Sequence, residues 1–248
     1  VTGLASSNIA YRDPELYDRM RTDDHAVVDR CVELIDQHGP PGARTLVDFG
    51  CGTGRDLDQV SRRFDGTGVD LNPAMVNHAH ERRPHLDVRL GDMRNFRLGH
   101  TVDVLLCLGN SMAYLHSLND LQAAVSTFAA HAHPGTLLVI ETLISAVPAS
   151  PPRTSDVEHG GIRAEVTVST EWNLRKQIST THRTWRFTDG RCESDHLCRR
   201  VIFPREMDLL LGGRGFEILS MSNPRDDQEL RGPGALVAAR YTALTTST

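Results

Sequence analysis

Lysine is almost missing from this chain: 27 of its 248 residues are basic, and of these only Lys176 is not arginine. Two explanations compete: a GC-rich coding bias, or guanidinium forks that present bidentate donors to a phosphorylated or carboxylated substrate. No apolar run approaches the roughly 20 residues of a membrane span, and the first residues lack the basic and apolar regions of a signal peptide. A cytoplasmic protein with no membrane partner is the expectation. The five cysteines, Cys31, Cys51, Cys107, Cys192 and Cys198, are odd in number and scattered, unlike a disulfide framework, and are expected to be free thiols. A net charge of -5 argues against a broad nucleic-acid surface and for a small-molecule substrate. Internal repeats and low-complexity segments are absent. The length suits one α/β domain with an insertion, and not two full domains.

What is present is a glycine turn. Leu46-Val47-Asp48-Phe49 reads as a buried strand that runs into Gly50-Cys51-Gly52-Thr53-Gly54-Arg55 and then into a helix. Glycines at alternate positions permit positive φ and let a ligand lie against bare backbone at a helix N-terminus. A dinucleotide turn spaces its glycines G-x-G-x-x-G. Here the spacing is G-x-G-x-G, with Asp48 two residues before the first glycine. Two further predicted strands also end in an acid, at Gly68-Val69-Asp70-Leu71-Asn72-Pro73-Ala74-Met75 and at Leu90-Gly91-Asp92-Met93-Arg94. An ionised carboxylate at such a strand end can accept two hydrogen bonds from vicinal ribose hydroxyls, a role that suits Asp70.

This arrangement resembles motif I and the acidic ladder of the class I S-adenosylmethionine (SAM) methyltransferases. The resemblance implies a Rossmann-like seven-stranded α/β sheet, SAM as cofactor and S-adenosylhomocysteine as product. It implies that Gly50, Cys51, Gly52, Gly54, Arg55, Leu71, Met75 and Leu108 line the cofactor site beside Asp48, Asp70, Asp92 and Met93. Asp48 would orient the methionine amino end, Asp70 the ribose, and Asp92 with the Met93 amide the adenine edge. SAM carries no phosphate, so the turn needs no lysine.

The rest of the chain fits a single methyltransferase domain over 1–248. Residues 1–21, with Tyr11 and Tyr17 but little apolar surface, read as an N-terminal lid segment. Thr22 to His38 reads as an amphipathic helix capped by Thr22 or Asp23. Strands are expected at Thr45–Phe49, Thr67–Asp70, Leu86–Leu90, Val102–Leu108 and Thr136–Thr142, with helices between them, which means parallel pairing. A closing antiparallel pair is expected at Phe216–Met221 and Ala235–Tyr241, after a helix beginning at Pro204. Between lies an antiparallel β lid insertion, 145–203. It opens with a flexible Pro/Ser/Gly-rich loop, Ala146 to Gly161, and continues as strands at Ile162–Thr170, Ile178–Thr188 and Glu193–Phe203. Trp172, Trp185 and Phe187 in the insertion read as packing residues.

The residues after the fourth strand, Leu108-Gly109-Asn110-Ser111-Met112-Ala113-Tyr114-Leu115-His116, should face the reacting groups. Their Leu-Gly-Asn-Ser run is similar to the corresponding segment of glycine N-methyltransferase. Glu15-Leu16-Tyr17-Asp18-Arg19 and the insertion resemble the N,N-dimethyltransferases of nucleotide-linked amino sugars in antibiotic biosynthesis. These resemblances imply methyl transfer to an amine nitrogen of a small molecule, an amino sugar or other secondary metabolite. Tyr17, Tyr114 and His116 are the catalytic candidates for accepting the amine proton. Of these, Tyr17 matches a tyrosine of the amino-sugar family, whereas that family's histidine near Tyr114 is not matched in register here. Tyr11, Asn110 and Glu141 are candidates for binding substrate. The residues leave open an O-methyltransferase, a SAM-binding protein without turnover, and a homodimer built through the insertion. His78/His80 and His131/His133 are spaced by two, which points them to different helix faces, and no metal is expected.

Overall fold

The computed structural model describes residues 8–21 and 25–243. Its larger sheet has seven strands: β1 (Thr45–Phe49), β2 (Asp65–Asp70), β3 (Asp87–Leu90), β4 (Val102–Cys107), β5 (Ala132–Leu143), β10 (Phe216–Ser222) and β11 (Gly234–Tyr241). They lie in the order β10-β11-β5-β4-β1-β2-β3. β3, β2, β1, β4 and β5 pair in parallel, while β11 runs antiparallel to both β5 and β10. β1 and β4 therefore sit side by side where the strand order reverses. At such a switch point the loops after adjacent strands part to opposite faces and leave a crevice at the carboxyl ends.

Burial on both faces accounts for the continuous apolar runs. On one side Val47, Phe49, Leu105, Leu138 and Ile140 pack against Leu121, Val125 and Phe128 of the helix Leu118–Ala130 and Leu211 of the helix Pro204–Gly212. On the other, Leu46, Val104, Leu106 and Val139 meet Val28, Cys31 and Ile35 of the helix Ala26–His38 and Ala79 of the helix Pro73–Arg82. That first helix begins at Ala26, and the expected caps at Thr22 and Asp23 lie outside the described residues.

The insertion is a second sheet of four antiparallel strands, β6 (Ser150–His159), β7 (Ile162–Asn173), β8 (Ile178–Phe187) and β9 (Cys192–Arg200), in sequence order. Here the structure corrects the expected loop at Ala146 to Gly161, most of which is β6. The strand gave no period-two signal because it is an edge exposed along nearly its whole length, and the prolines 151 and 152 fall where its register with β7 slips between Ser150 and Arg153. The turn between β7 and β8 carries the exposed Lys176, whose amide donates to Asn173 Oδ1 at 3.0 Å.

The segment before the helix Ala26–His38 forms two short helices, Ile9–Arg12 and Pro14–Met20, the second capped by Asp13, which accepts from the Leu16 amide at 3.0 Å. Ile9 and Leu16 are buried against Ile162, Val166, Trp185 and Phe187 of the insertion. The segment thus lies between the two sheets.

Candidate cofactor and acceptor cleft

The crevice beside β1 and β4 is a cleft of about 1050 Å³ open to solvent. Gly50, Gly52 and Gly54 all adopt positive φ, at 81°, 57° and 77°. At Gly50 no side chain is possible, because a Cβ would lie 2.4 Å from Ser111 Oγ. Ser111 in turn donates to the carbonyls of Leu108 at 2.8 Å and Gly50 at 3.3 Å, tying the loop after β4 to the turn after β1. Gly52 lines the cleft, and a Cβ added there would lie 3.8 Å from the Tyr17 ring.

The acids at the ends of three successive strands converge on this space, since Asp48, Asp70 and Asp92 all line it. Asp70 accepts from the amides of Gly52 and Asn72, both at 2.8 Å. Burial pushes its pKa up, opposed by those amides. Asp48 is buried, and its Oδ1 has no hydrogen-bond partner. Desolvation, with Asp56 and Asp70 nearby, raises its carboxyl to about 8. A buried carboxylate oxygen aimed into a cleft without a donor marks a place for a cationic or hydrogen-bonding ligand. Asp92 is engaged differently: Arg94 donates to both of its oxygens and holds its pKa below the usual carboxylate range. Arg94 also reaches Asp120 at 2.7 Å. Asp56, a fourth acid in the wall, is paired with Arg55 at 2.6 Å, as Asp92 is with Arg94, which leaves Asp48 and Asp70 as the wall acids that no arginine bonds among the described residues.

Three tyrosines close the opposite side. The Tyr11 ring centroid lies 6.0 Å from that of Tyr17 and 5.7 Å from that of Tyr114. Burial lifts the Tyr17 phenol to about 12 and drives Tyr11 well above its ordinary value, so these two hydroxyls stay protonated near neutral pH. Cys51, Leu71, Met75, Met93 and Leu108 supply apolar wall.

Five of the expected residues stand outside the lining. Gly54 points toward Leu86, Val88 and Ala79, where it permits close packing rather than ligand approach. Arg55 is bonded to the Arg21 carbonyl and to Asp56. Asn110 takes the left-handed conformation at φ 60° ahead of the turn Ser111–Tyr114, and its Oδ1 is buried without a partner. Glu141 accepts from the Gly109 amide at 2.8 Å, which holds the loop from behind, and burial raises its pKa. The ring of His116 turns to the Cys198 carbonyl at 2.9 Å, so this residue ties the loop to β9 and its ring leaves the cleft. Conversely, Asp56, Asn72, Arg94 and Ser111 line the cleft without having been singled out. Asn72 had a readable signal, the Asp-x-Asn-Pro spacing that makes it a helix cap beside Asp70.

Comparison with known proteins agrees with this architecture. A methyltransferase-domain family matches residues 46–135. The chain is 39% identical over 102 residues to a dTDP-3-amino-3,4,6-trideoxy-alpha-D-glucopyranose N,N-dimethyltransferase of Streptomyces venezuelae, covering 41% of this chain and 43% of that protein. It is 35% identical over 133 residues to a dTDP-3-amino-3,6-dideoxy-alpha-D-glucopyranose N,N-dimethyltransferase of Streptomyces fradiae, covering 51% of each. The matched segments thus span about half or less of these relatives. Among solved structures, a SAM-bound amino pentose methyltransferase of Micromonospora echinaspora is 26% identical with a TM-score of 0.76, over 94% of this chain and 98% of that one. A sugar N-methyltransferase of a Streptoalloteichus species is 28% identical with a TM-score of 0.75, over 91% and 92%.

The fold is that of the class I SAM methyltransferases, and the chain resembles the amino-sugar dimethyltransferases. The likeness to solved structures extends over the insertion as well as the larger sheet.

Proposed function

We propose that this methyltransferase moves a methyl group from SAM to the amine nitrogen of an amino sugar or a related secondary metabolite, in antibiotic biosynthesis. The observation that carries the reading is the ring of carboxylates, above all the partnerless Asp48 Oδ1, around a cleft roofed by phenols. SAM would supply an activated methyl on a sulfonium cation. The residues suited to hold it are Asp70 for the ribose hydroxyls, Asp48 for the ammonium end, and Asp92 with the Met93 amide for the adenine edge. The bare backbone of Gly50 to Gly52 allows close approach.

Tyr17, Tyr11 and Tyr114 would hold the acceptor. With Tyr17 at about 12, a phenolate base near neutral pH is disfavoured, so Tyr17 orients the nitrogen through its neutral hydroxyl. Closing the tyrosine roof strips water from the amine, which lowers its pKa and lets it enter neutral, its proton passing to solvent at the cleft mouth. Alignment and exclusion of water then account for most of the acceleration.

A second reading is O-methylation, favoured by a 30% identity over 112 residues to a trans-aconitate 2-methyltransferase of Mycobacterium tuberculosis, covering 41% of that protein. A carboxylate acceptor would meet Asp70, which no arginine bonds among the described residues, and that opposes it. Incubation with methyl-labelled SAM and panels of amino sugars, alcohols and carboxylates, read by mass spectrometry, tests both. Label on nitrogen supports the proposal, and label on oxygen alone overturns it. Binding of SAM without turnover of any acceptor class would favour a non-catalytic SAM-binding protein.

A further inference from the structure

The segment 8–21 meets the two sheets through different chemistry. Toward the insertion it is bolted down. Ile9 and Leu16 are buried among Val166, Trp185 and Phe187, the Ile9 amide donates to Asp195 at 2.8 Å, and Arg183 pairs with Asp195 while reaching Asn8 Oδ1 at 2.8 Å. Toward the larger sheet it is held by polar bonds, which water can replace. Asn72 donates to the Tyr11 carbonyl at 2.8 Å, Arg55 to the Arg21 carbonyl at 2.6 Å and Arg82 to Glu15 at 2.7 Å, and three further groups meet at Asp18.

The Thr53 hydroxyl donates to one Asp18 oxygen, and the other takes Arg83 Nη1 at 2.9 Å and His78 Nε2 at 3.3 Å. Arg83 also donates to the Thr53 carbonyl at 3.1 Å, closing a ring of four groups. Thr53 is completely buried and stands between Gly52 and Gly54, so a bond to its hydroxyl is a bond to the glycine turn. Tyr17, the residue before Asp18, is the one whose ring overlies Gly52.

We propose that Asp18 is a positioning residue: by gripping Thr53, His78 and Arg83 it sets the Tyr17 phenol over the Gly52 turn and controls how readily the segment parts from the cofactor loop. The inference rests on the methyltransferase reading proposed above. Because Ile9 and Leu16 are buried on the insertion side, whereas the larger sheet is met by polar bonds and the Tyr11–Tyr114 ring contact, the segment and the four-stranded sheet travel together when the cleft opens, and the Asp18 seam is where they separate from the larger sheet.

The test uses Asp18→Asn, which keeps the shape and removes the charge from three hydrogen bonds. Amide hydrogen exchange is followed in the ligand-free chain, together with release of S-adenosylhomocysteine. Loss of charge assistance predicts about tenfold faster exchange over 14–20, unchanged exchange in β7 to β9, and release about tenfold faster. KM for SAM rises more than kcat falls. Thr53→Val, which deletes the same bond from the other side, repeats the effect. Glu15→Gln, which removes an exposed ion pair with Arg82 from the same helix, changes none of these. Unchanged exchange over 14–20 in both Asp18→Asn and Thr53→Val overturns the proposal, as does faster exchange spread equally over β7 to β9. If the unaltered chain binds neither SAM nor S-adenosylhomocysteine, the functional reading fails, while exchange in the ligand-free chain still decides the role of Asp18.

Discussion

Asp70, at the end of β2, holds the amide of Gly52 in the turn after β1 at 2.8 Å, so the acid suited to a ribose also shapes the glycine turn. Its other oxygen holds Asn72, the cap of the following helix. Asp70→Ala therefore removes a ligand group and two internal bonds at once. We expect SAM affinity to fall by about a hundredfold or more and stability by about 1–3 kcal/mol, read by calorimetric titration and by urea melts. Intact affinity in this variant would remove Asp70 from the cofactor site.

Asp48 makes the stability of the ligand-free protein depend on pH in an unusual direction. Its folded pKa, about 8, lies above the ordinary value of an unfolded aspartate near 3.9. Between those values the folded state binds the extra proton, so stability is greatest below the lower one and declines as pH rises toward 8. Asp48→Asn should flatten that decline and raise the melting temperature at pH 8 to 9 by several degrees. Parallel melting curves against pH for the two proteins would refute the assignment. A bound cation would favour the ionised form, so SAM binding near pH 7 should release a proton, detectable as a buffer-dependent binding enthalpy.

Tyr17→Phe removes a hydroxyl whose proton stays on to about pH 12. Because that group does not titrate in the working range, the kcat profile between pH 6 and 9 should keep its shape in the variant while kcat drops about tenfold, the loss of one hydrogen bond to the acceptor. SAM affinity should hold. A pH profile that loses an ionisation in the variant would return Tyr17 to the role of base.

His116 points to the Cys198 carbonyl, and Arg200 in turn bonds the His116 carbonyl at 3.0 Å. His116→Gln should leave kcat within a few-fold and lower the melting temperature slightly. A fall of about a hundredfold or more, the scale on which a general base contributes, would restore it to the catalytic machinery.

The Asp195 carboxylate is fully buried beneath the lid segment and carries both Arg183 and the Ile9 amide. Removing one partner of a buried ion pair strands the other, so Asp195→Ala should cost about 3–5 kcal/mol. Protease cleavage within 8–21 should accelerate before the larger sheet unfolds. Unchanged proteolysis would show that the apolar contacts alone retain the segment.

The parts of this fold that could be read in the sequence are those where a residue type answers to a local constraint. β1, β4 and β5 are buried on both faces and read as apolar runs, and Gly50, Gly52 and Gly54 take the positive φ that their spacing in the turn permits. Thirteen residues expected in the site do line the cleft, among them Tyr11, Tyr17 and Tyr114. The misreadings have physical causes. β6 borrows its conformation from β7 and faces solvent, so nothing in its own side chains alternates. His116 and Glu141 follow the right strands, but their partners, Cys198 and Gly109, are set by long-range packing. The grip of Asp195 on Ile9 spans 186 positions, a distance at which no spacing rule operates.

Lys176, alone at the exposed tip between β7 and β8, has a practical consequence. Amine-directed chemistry finds a single side-chain target there, on the outer end of the insertion. A fluorophore coupled at this tip would report the swing of the four-stranded layer without disturbing the tyrosine roof.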